Sequence, residues 1–167
     1  IDVALKLNGS ALGFDYGVMT AQESQYASDI GSLFYAQRLL RTGENFSVGY
    51  LGTWTDRPFL QREGLVNAVD GNWRVNDQWA LTGQAIATGI DQPGADKDGT
   101  GLWTRVDYTP NQAWRQELEL THFDRELDFN DMGYQRRASL NEAEWTLENQ
   151  QTSSDETALL RGKIWKL

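Results

Sequence analysis

Phe46-Ser-Val-Gly-Tyr-Leu-Gly-Thr-Trp54 decides the fold. Phe46, Val48, Tyr50, Gly52 and Trp54 alternate with Ser47, Gly49, Leu51 and Thr53, a period of two that puts each set on one side of a β-strand. The same period recurs on both sides of this stretch. Ile1, Val3, Leu5 and Leu7 alternate with Asp2, Ala4, Lys6 and Asn8; Leu12, Phe14, Tyr16 and Val18 alternate with Gly13, Asp15 and Gly17. Further on, Trp114, Leu118, Leu120 and His122 alternate with Arg115, Glu117, Glu119 and Thr121. Helical spacing does not compete in these segments. The pattern predicts strands near 1–8, 11–20, 31–42, 46–55, 65–75, 78–88, 101–109, 113–123, 137–148 and 157–167. Within 31–42 the pair Leu39-Leu40 breaks the alternation, and a β-bulge there is expected to restore it.

The connections have a rhythm of their own. Short polar turns fall at Asn8-Gly9-Ser10, Gly43-Glu44-Asn45, Asn76-Asp77-Gln78 and Pro110-Asn111-Gln112, with a looser one near Gln151 to Asp155. Longer polar segments lie between them, at 21–29, 55–64, 89–99 and 124–135. No residue motif recurs with this spacing, so the period is that of a hairpin and not of a repeat module. Short turns on one edge and long loops on the other, joined by strands of about ten residues, are the connectivity of a transmembrane β-barrel. The expected fold is therefore all-β: an antiparallel up-and-down transmembrane barrel of about ten strands, treated as one barrel region over 1–167.

Composition narrows the classes. The 167 residues hold 15 Lys+Arg, 24 Asp+Glu, one His and no Cys, for a net charge of −9. With no basic cluster to neutralise phosphates, nucleic acid is not an expected partner. The missing cysteines exclude disulfides and thiolate metal sites, and a single His leaves little scope for a transition metal. No cofactor is expected. No run of about 18 apolar residues is present, which excludes a transmembrane helix but not a barrel. No charged segment followed by an apolar one marks a signal peptide, so any such peptide is removed or lies upstream. The chain begins and ends in strand pattern, and the expectation is a piece of a larger barrel. The ending Gly162-Lys-Ile-Trp-Lys-Leu167 keeps a closed ten-strand form as the alternative.

Aromatic placement separates the two faces. Phe46, Trp73, Trp79, Tyr108 and Trp114 lie close to short turns and on the apolar face, where a membrane interface favours amphipathic rings. The opposite face carries Asp2, Lys6, Asp15, Asp70, Arg74, Arg105, Asp107, Arg115, Glu117, Glu119, Glu142, Glu144, Arg161 and Lys163, charges suited to a wet lumen. A soluble β-sandwich would produce the same alternation with the faces exchanged.

Several segments resemble one family. Val66-Asn-Ala-Val-Asp-Gly-Asn-Trp-Arg-Val-Asn-Asp-Gln-Trp-Ala-Leu-Thr-Gly-Gln-Ala85 is similar to a G-x-D-x-x-W/L-R-x-x-x-x-W-x-L-x-G-Q hairpin, with Ala68 in place of the first Gly. A Gly/Asp-rich loop follows at Asp91-Gln-Pro-Gly-Ala-Asp-Lys-Asp-Gly-Thr-Gly101. Phe129-Asn-Asp-Met-Gly-Tyr-Gln-Arg-Arg137 is similar to an F-x-x-D-x-G-Y/F-x-x-R segment, with a shorter spacing before Gly133. The opening Leu5 to Thr20 resembles a K-L-x-G-x-x-x-G hairpin. Together these resemble the barrel region of a bacterial outer-membrane protein family of unknown function that often carries an N-terminal carbohydrate-binding module similar to family 9. The resemblance implies an outer-membrane location and a central fragment, with the sugar-binding module before it and further strands after Leu167. It brings no catalytic residues.

Other signals are weak. His122 and Asp124 lie two apart near a long-loop edge, where some barrel enzymes activate water, although His122 has the parity of the apolar face. Asp96 and Asp98 before Gly99 resemble half of a calcium loop without its first Asp or distal Glu. Ser139 and Ser153 lack a nucleophile-elbow context. The expected role is a channel, transport component or membrane anchor linked to glycan binding or uptake, with short turns periplasmic and long loops extracellular. Its partners would be outer-membrane lipid and other outer-membrane or periplasmic proteins. The alternatives are a barrel-borne surface hydrolase with His122 and Asp124 as its candidates, and a soluble β-sandwich or lipocalin-like binder.

Overall fold

The computed structural model describes residues 1–23, 31–133, 135–152 and 162–166. Ten strands form one antiparallel sheet in strict sequence order. They are β1 (Val3–Ala11), β2 (Phe14–Gln22), β3 (Leu33–Thr42), β4 (Phe46–Arg57), β5 (Arg62–Arg74), β6 (Trp79–Asp91), β7 (Lys97–Asn111), β8 (Trp114–Phe123), β9 (Leu140–Thr152) and β10 (Gly162–Lys166). A 3-10 turn at Pro58–Leu60 is the one helical element among the described residues. The fold is all-β and up-and-down, as the alternation predicts.

Several boundaries differ from the sequence reading. The first hairpin does not turn at Asn8-Gly9-Ser10, because β1 continues to Ala11, which pairs with Phe14. The two-residue turn is Leu12-Gly13, both with positive φ (54° and 79°), the geometry that matches the twist of a tight hairpin. Leu12 is 99% exposed and gains no packing for its left-handed backbone. Leu12→Asn is therefore expected to stabilise the fold by about 1 kcal/mol, read as a higher urea midpoint for refolding. An unchanged or lower midpoint would contradict it.

Two of the expected long loops are mostly strand. Register runs without interruption to Arg57↔Arg62 and to Ile90↔Lys97, leaving only 58–61 and 92–96 as connections. Apart from the lone Ile90, both faces are polar or glycine at these strand ends, so the alternation fades while the backbone pairing persists. The loop expected at 21–29 lies largely outside the described residues, as do Ser153, Arg161 and most of the Gln151 to Asp155 turn, although β9 itself runs to Thr152. The expected bulge at Leu39-Leu40 is absent: β3 keeps continuous register with β2 and β4, and Leu40 simply occupies the polar row. The register shift instead lies between Tyr108 and Asn111. Lys163, expected in the polar row, pairs with Gln151, a position of the other parity. A residue motif does recur at the short turns. In Asn76-Asp-Gln-Trp79 and Asn111-Gln-Ala-Trp114, the Asn Oδ1 accepts backbone N–H bonds from the two residues that start the next strand or precede it (2.9–3.2 Å).

Candidate functional site on the polar face

Register assigns every strand residue to a row. Asp70, Arg74, Arg105, Asp107, Arg115, Glu117, Glu119, Glu142 and Glu144 all fall on one face, because Arg74↔Ala80↔Asp107↔Glu117 and Arg105↔Glu119↔Glu144 are continuous cross-strand ladders. Phe46, Trp73, Trp79, Tyr108 and Trp114 fall on the other face at the short-turn edge. There Phe46 pairs with Trp73, and the Trp79 and Tyr108 rings stack at 4.2 Å.

The apolar face is the exposed one. Every strongly exposed large hydrophobic of the strands lies on it, including Val48 (44%), Val69 (51%) and Leu118 (40%). Among the described residues no second sheet covers it. Buried apolar residues sit on the charged side: Ala21, Ala68 and Ile90 are on its rows, and Leu127 lies over it. Ala68 is 3% exposed beside Val69 at 51%, so the charged face is the more crowded side. On the apolar face of β4 to β7 the charged side chains are Asp56, Glu63, Asp91 and Asp98, all at the long-loop edge. Between that edge and the aromatic edge no charge occurs, and half-buried polar atoms satisfy one another: the Tyr50 hydroxyl donates to Asn67 Oδ1 (2.6 Å) and, on neighbouring β3, the Tyr35 hydroxyl to Gln37 Oε1 (3.2 Å).

On the polar face charges are largely paired. Arg38 meets Asp70 through both carboxylate oxygens, with Nη2 donating to Oδ2 at 2.8 Å. Asp107 accepts from Arg105 Nε at 3.1 Å and Arg115 Nη2 at 2.9 Å. The distribution is lopsided. Arg38, Arg57, Arg62 and Arg74 lie on β3 to β5, whereas Glu117, Glu119, Glu142, Glu144 and Glu148 lie on β8 and β9. Glu119 and Glu144 face each other directly, an arrangement that disfavours a dry environment.

The segment from Asp124 to Ser139 crosses this face. Its base is closed by Asp124, whose N–H donates to Thr100 O (3.0 Å) and whose carbonyl accepts from Ser139 N–H (2.9 Å). One carboxylate oxygen of Asp124 accepts from the Thr100 N–H and hydroxyl, the other from Glu126 N–H (2.9 Å) and Leu127 N–H (2.7 Å). The Thr100 N–H foremost, with that hydroxyl and the two loop amides, holds the carboxyl below the ordinary carboxylate range. Leu127 then presses on β7 where Gly99 and Gly101 leave room; a Cβ at Gly99 would stand 2.3 Å from Leu127 Cα. Over β6, Asp128 N–H donates to Thr88 Oγ1 (3.2 Å). Over β5 and β4, Arg62 donates to Asp128 Oδ2 (3.0 Å) and to both oxygens of Asp131 (2.9–3.1 Å), and Arg57 Nη2 donates to Asp131 O (2.9 Å). Burial pushes the Asp128 carboxyl up, but the Asn130 amides and Arg62 outweigh it and hold it below the ordinary range. From β7 to β4 the loop spans three strand spacings, about 15 Å.

His122 and Asp124 each bond to other groups. His122 lies on the apolar row with Nδ1 2.6 Å from Asn141 Oδ1, and all the acceptor capacity of Asp124 shapes the loop. Asp96 caps its own turn through Gln92 N–H (3.0 Å), and no group of three metal-ligating side chains occurs among the described residues. The Arg57, Arg62, Asp128 and Asp131 network was not legible in the sequence, where these residues read as polar loop. The paired small residues Gly99 and Gly101 on the inward row of β7 were the available signal for a close approach. No family model, no curated protein and no solved structure matches the chain.

Proposed function

We propose that this sheet forms the wall of a transmembrane β-barrel in a bacterial outer membrane, with its charged face around water and the 124–139 loop narrowing the passage. The single observation that carries this reading is the inversion of the faces: exposed Val48, Val69 and Leu118 on one side, and buried Ala68 and Leu127 with the ion pairs on the other. In water such a face would be expected to be covered, because it amounts to a contiguous apolar patch across the sheet. Against acyl chains it is matched, and the charges avoid hydrocarbon. A conducting or importing wall fits better than an enzyme, since the His122 and Asp124 side chains have other partners.

The chain has no Cys, so single cysteines can be introduced and spin-labelled cleanly. In lipid vesicles, labels at Val48, Val69 and Leu118 should collide with oxygen and be shielded from a nickel chelate. Labels at Gln84 and Glu119 should show the reverse. The reading is lost if both sets meet the nickel chelate equally.

A further inference from the structure

Beneath the returning half of the 124–139 loop lies a cavity of about 300 Å³, lined by Phe123, Phe129, Gln135, Arg136, Arg137, Leu140 and Glu142. Phe123, Leu140 and Glu142 come from the polar rows of β8 and β9, and the rest from the loop. Gln135 is occupied with holding the wall: its Oε1 accepts from Phe129 N–H (3.3 Å) and its Nε2 donates to Arg137 O (3.1 Å). Among the described residues no carboxylate pairs with Arg136 or Arg137, unlike Arg38, Arg57, Arg62, Arg105 and Arg115 on the same face. Two arginines with no carboxylate partner among the described residues therefore line this pocket together with two phenylalanines, a leucine and Glu142.

We infer that this cavity binds small monocyclic carboxylates bearing a hydroxyl or amino group on the ring. Guanidinium offers parallel N–H donors that match a carboxylate, and two of them outweigh the single opposing charge of Glu142. The two phenylalanines of the lining suit an aromatic ring, and an acceptor-only carboxylate such as Glu142 is satisfied by a ring hydroxyl or ammonium. The volume lies at the small end of ligand sites and admits one ring rather than a chain of them. The inference goes beyond the pore reading, because binding needs only the docked loop and not a sealed membrane.

The test is calorimetry on the full chain folded in detergent, with 4-hydroxybenzoate, benzoate and neutral 4-hydroxybenzyl alcohol as probes. The carboxylate is expected to bind at least about tenfold tighter than the neutral alcohol, and R136Q/R137Q should abolish that preference. E142Q should strengthen benzoate and narrow its gap to 4-hydroxybenzoate. Hydrogen exchange at Leu127 and Asp128 checks that the loop stays docked in each variant. Equal binding of the charged and neutral probes, no binding by any of them, or a preference that survives R136Q/R137Q with the loop docked would overturn the assignment.

Discussion

Val69→Arg is expected to lower the stability of the folded chain in lipid by about 2–4 kcal/mol, a thirty- to several-hundred-fold loss in folding equilibrium. Val69 lies midway along β5 on the uncharged face, between Leu65 and Trp73, with Tyr50 and Ala85 opposite it in register. A guanidinium there has no counter-charge in reach and must drag water toward the acyl chains or unfold the strand. Gln84→Arg is the matched control, since Gln84 pairs with Asp70 in the charged row and the added cation meets water and a carboxylate. Its cost should stay below about 1 kcal/mol, the range of an ordinary exposed substitution. Urea titrations in phosphatidylcholine vesicles measure both. If the sheet were a soluble domain, Val69→Arg would be nearly neutral, because Val69 is 51% exposed and arginine is at home in water. Equal costs for the two variants would remove the lipid assignment of this face.

Arg62→Ala should release the loop that crosses the polar face. Arg62 is 15% exposed at its side chain and joins Asp128, Asp131 and Gln92 at once. Without it, the Asp131 carboxylate, 8% exposed, keeps only Arg57 at 3.6 Å as a cationic partner among the described residues. Charged hydrogen bonds of this kind contribute about 1.5–3 kcal/mol, so the undocked population should rise roughly ten- to hundredfold. Amide exchange of Leu127 and Asp128 reads this directly, because their N–H groups bond to Asp124 Oδ1 and Thr88 Oγ1 only while the loop is docked. Unchanged protection in a folded Arg62→Ala chain would show that the ion pairs do not hold it. Acid should act in the same direction. Asp124 and Asp128 are both held below the ordinary carboxylate range, so their contribution is complete above that range and is lost as pH falls through the lowered values. The loop should therefore stay docked at neutral pH and loosen only in strong acid.

How much of this was legible in the sequence depends on what held each part. Strands such as β4 are specified residue by residue, since a slip of one position would exchange Val48 and Tyr50 with Gly49 and Leu51 and turn the apolar row inward. The same logic assigned fourteen charged residues and five aromatics to opposite faces; Lys163 falls on the other row, and Arg161 lies outside the described residues. It failed at Asp56 to Glu63 and Gly89 to Asp98, because the rows there are polar or glycine apart from the lone Ile90, too little to keep the alternation visible while the backbone stays paired. It failed at Leu12-Gly13 because Asn8-Gly9-Ser10 carries the stronger turn chemistry, while β1 and β2 pair past it. The docked loop was invisible for a different reason. Asp128 and Asp131 find Arg62 across a sequence separation of more than sixty residues, and only the fold brings them together.

The uncharged strip has a length as well as a chemistry. From Phe46 to Trp54 it covers eight residue steps, about 26 Å along the strand, or roughly 20 Å in height at the usual tilt of the barrel proposed above. A protein with so short a greasy belt has a thickness preference. It should fold fastest and most completely in short-acyl-chain vesicles, and in long-chain ones it must thin the lipid around it at a cost that grows with each added ångström.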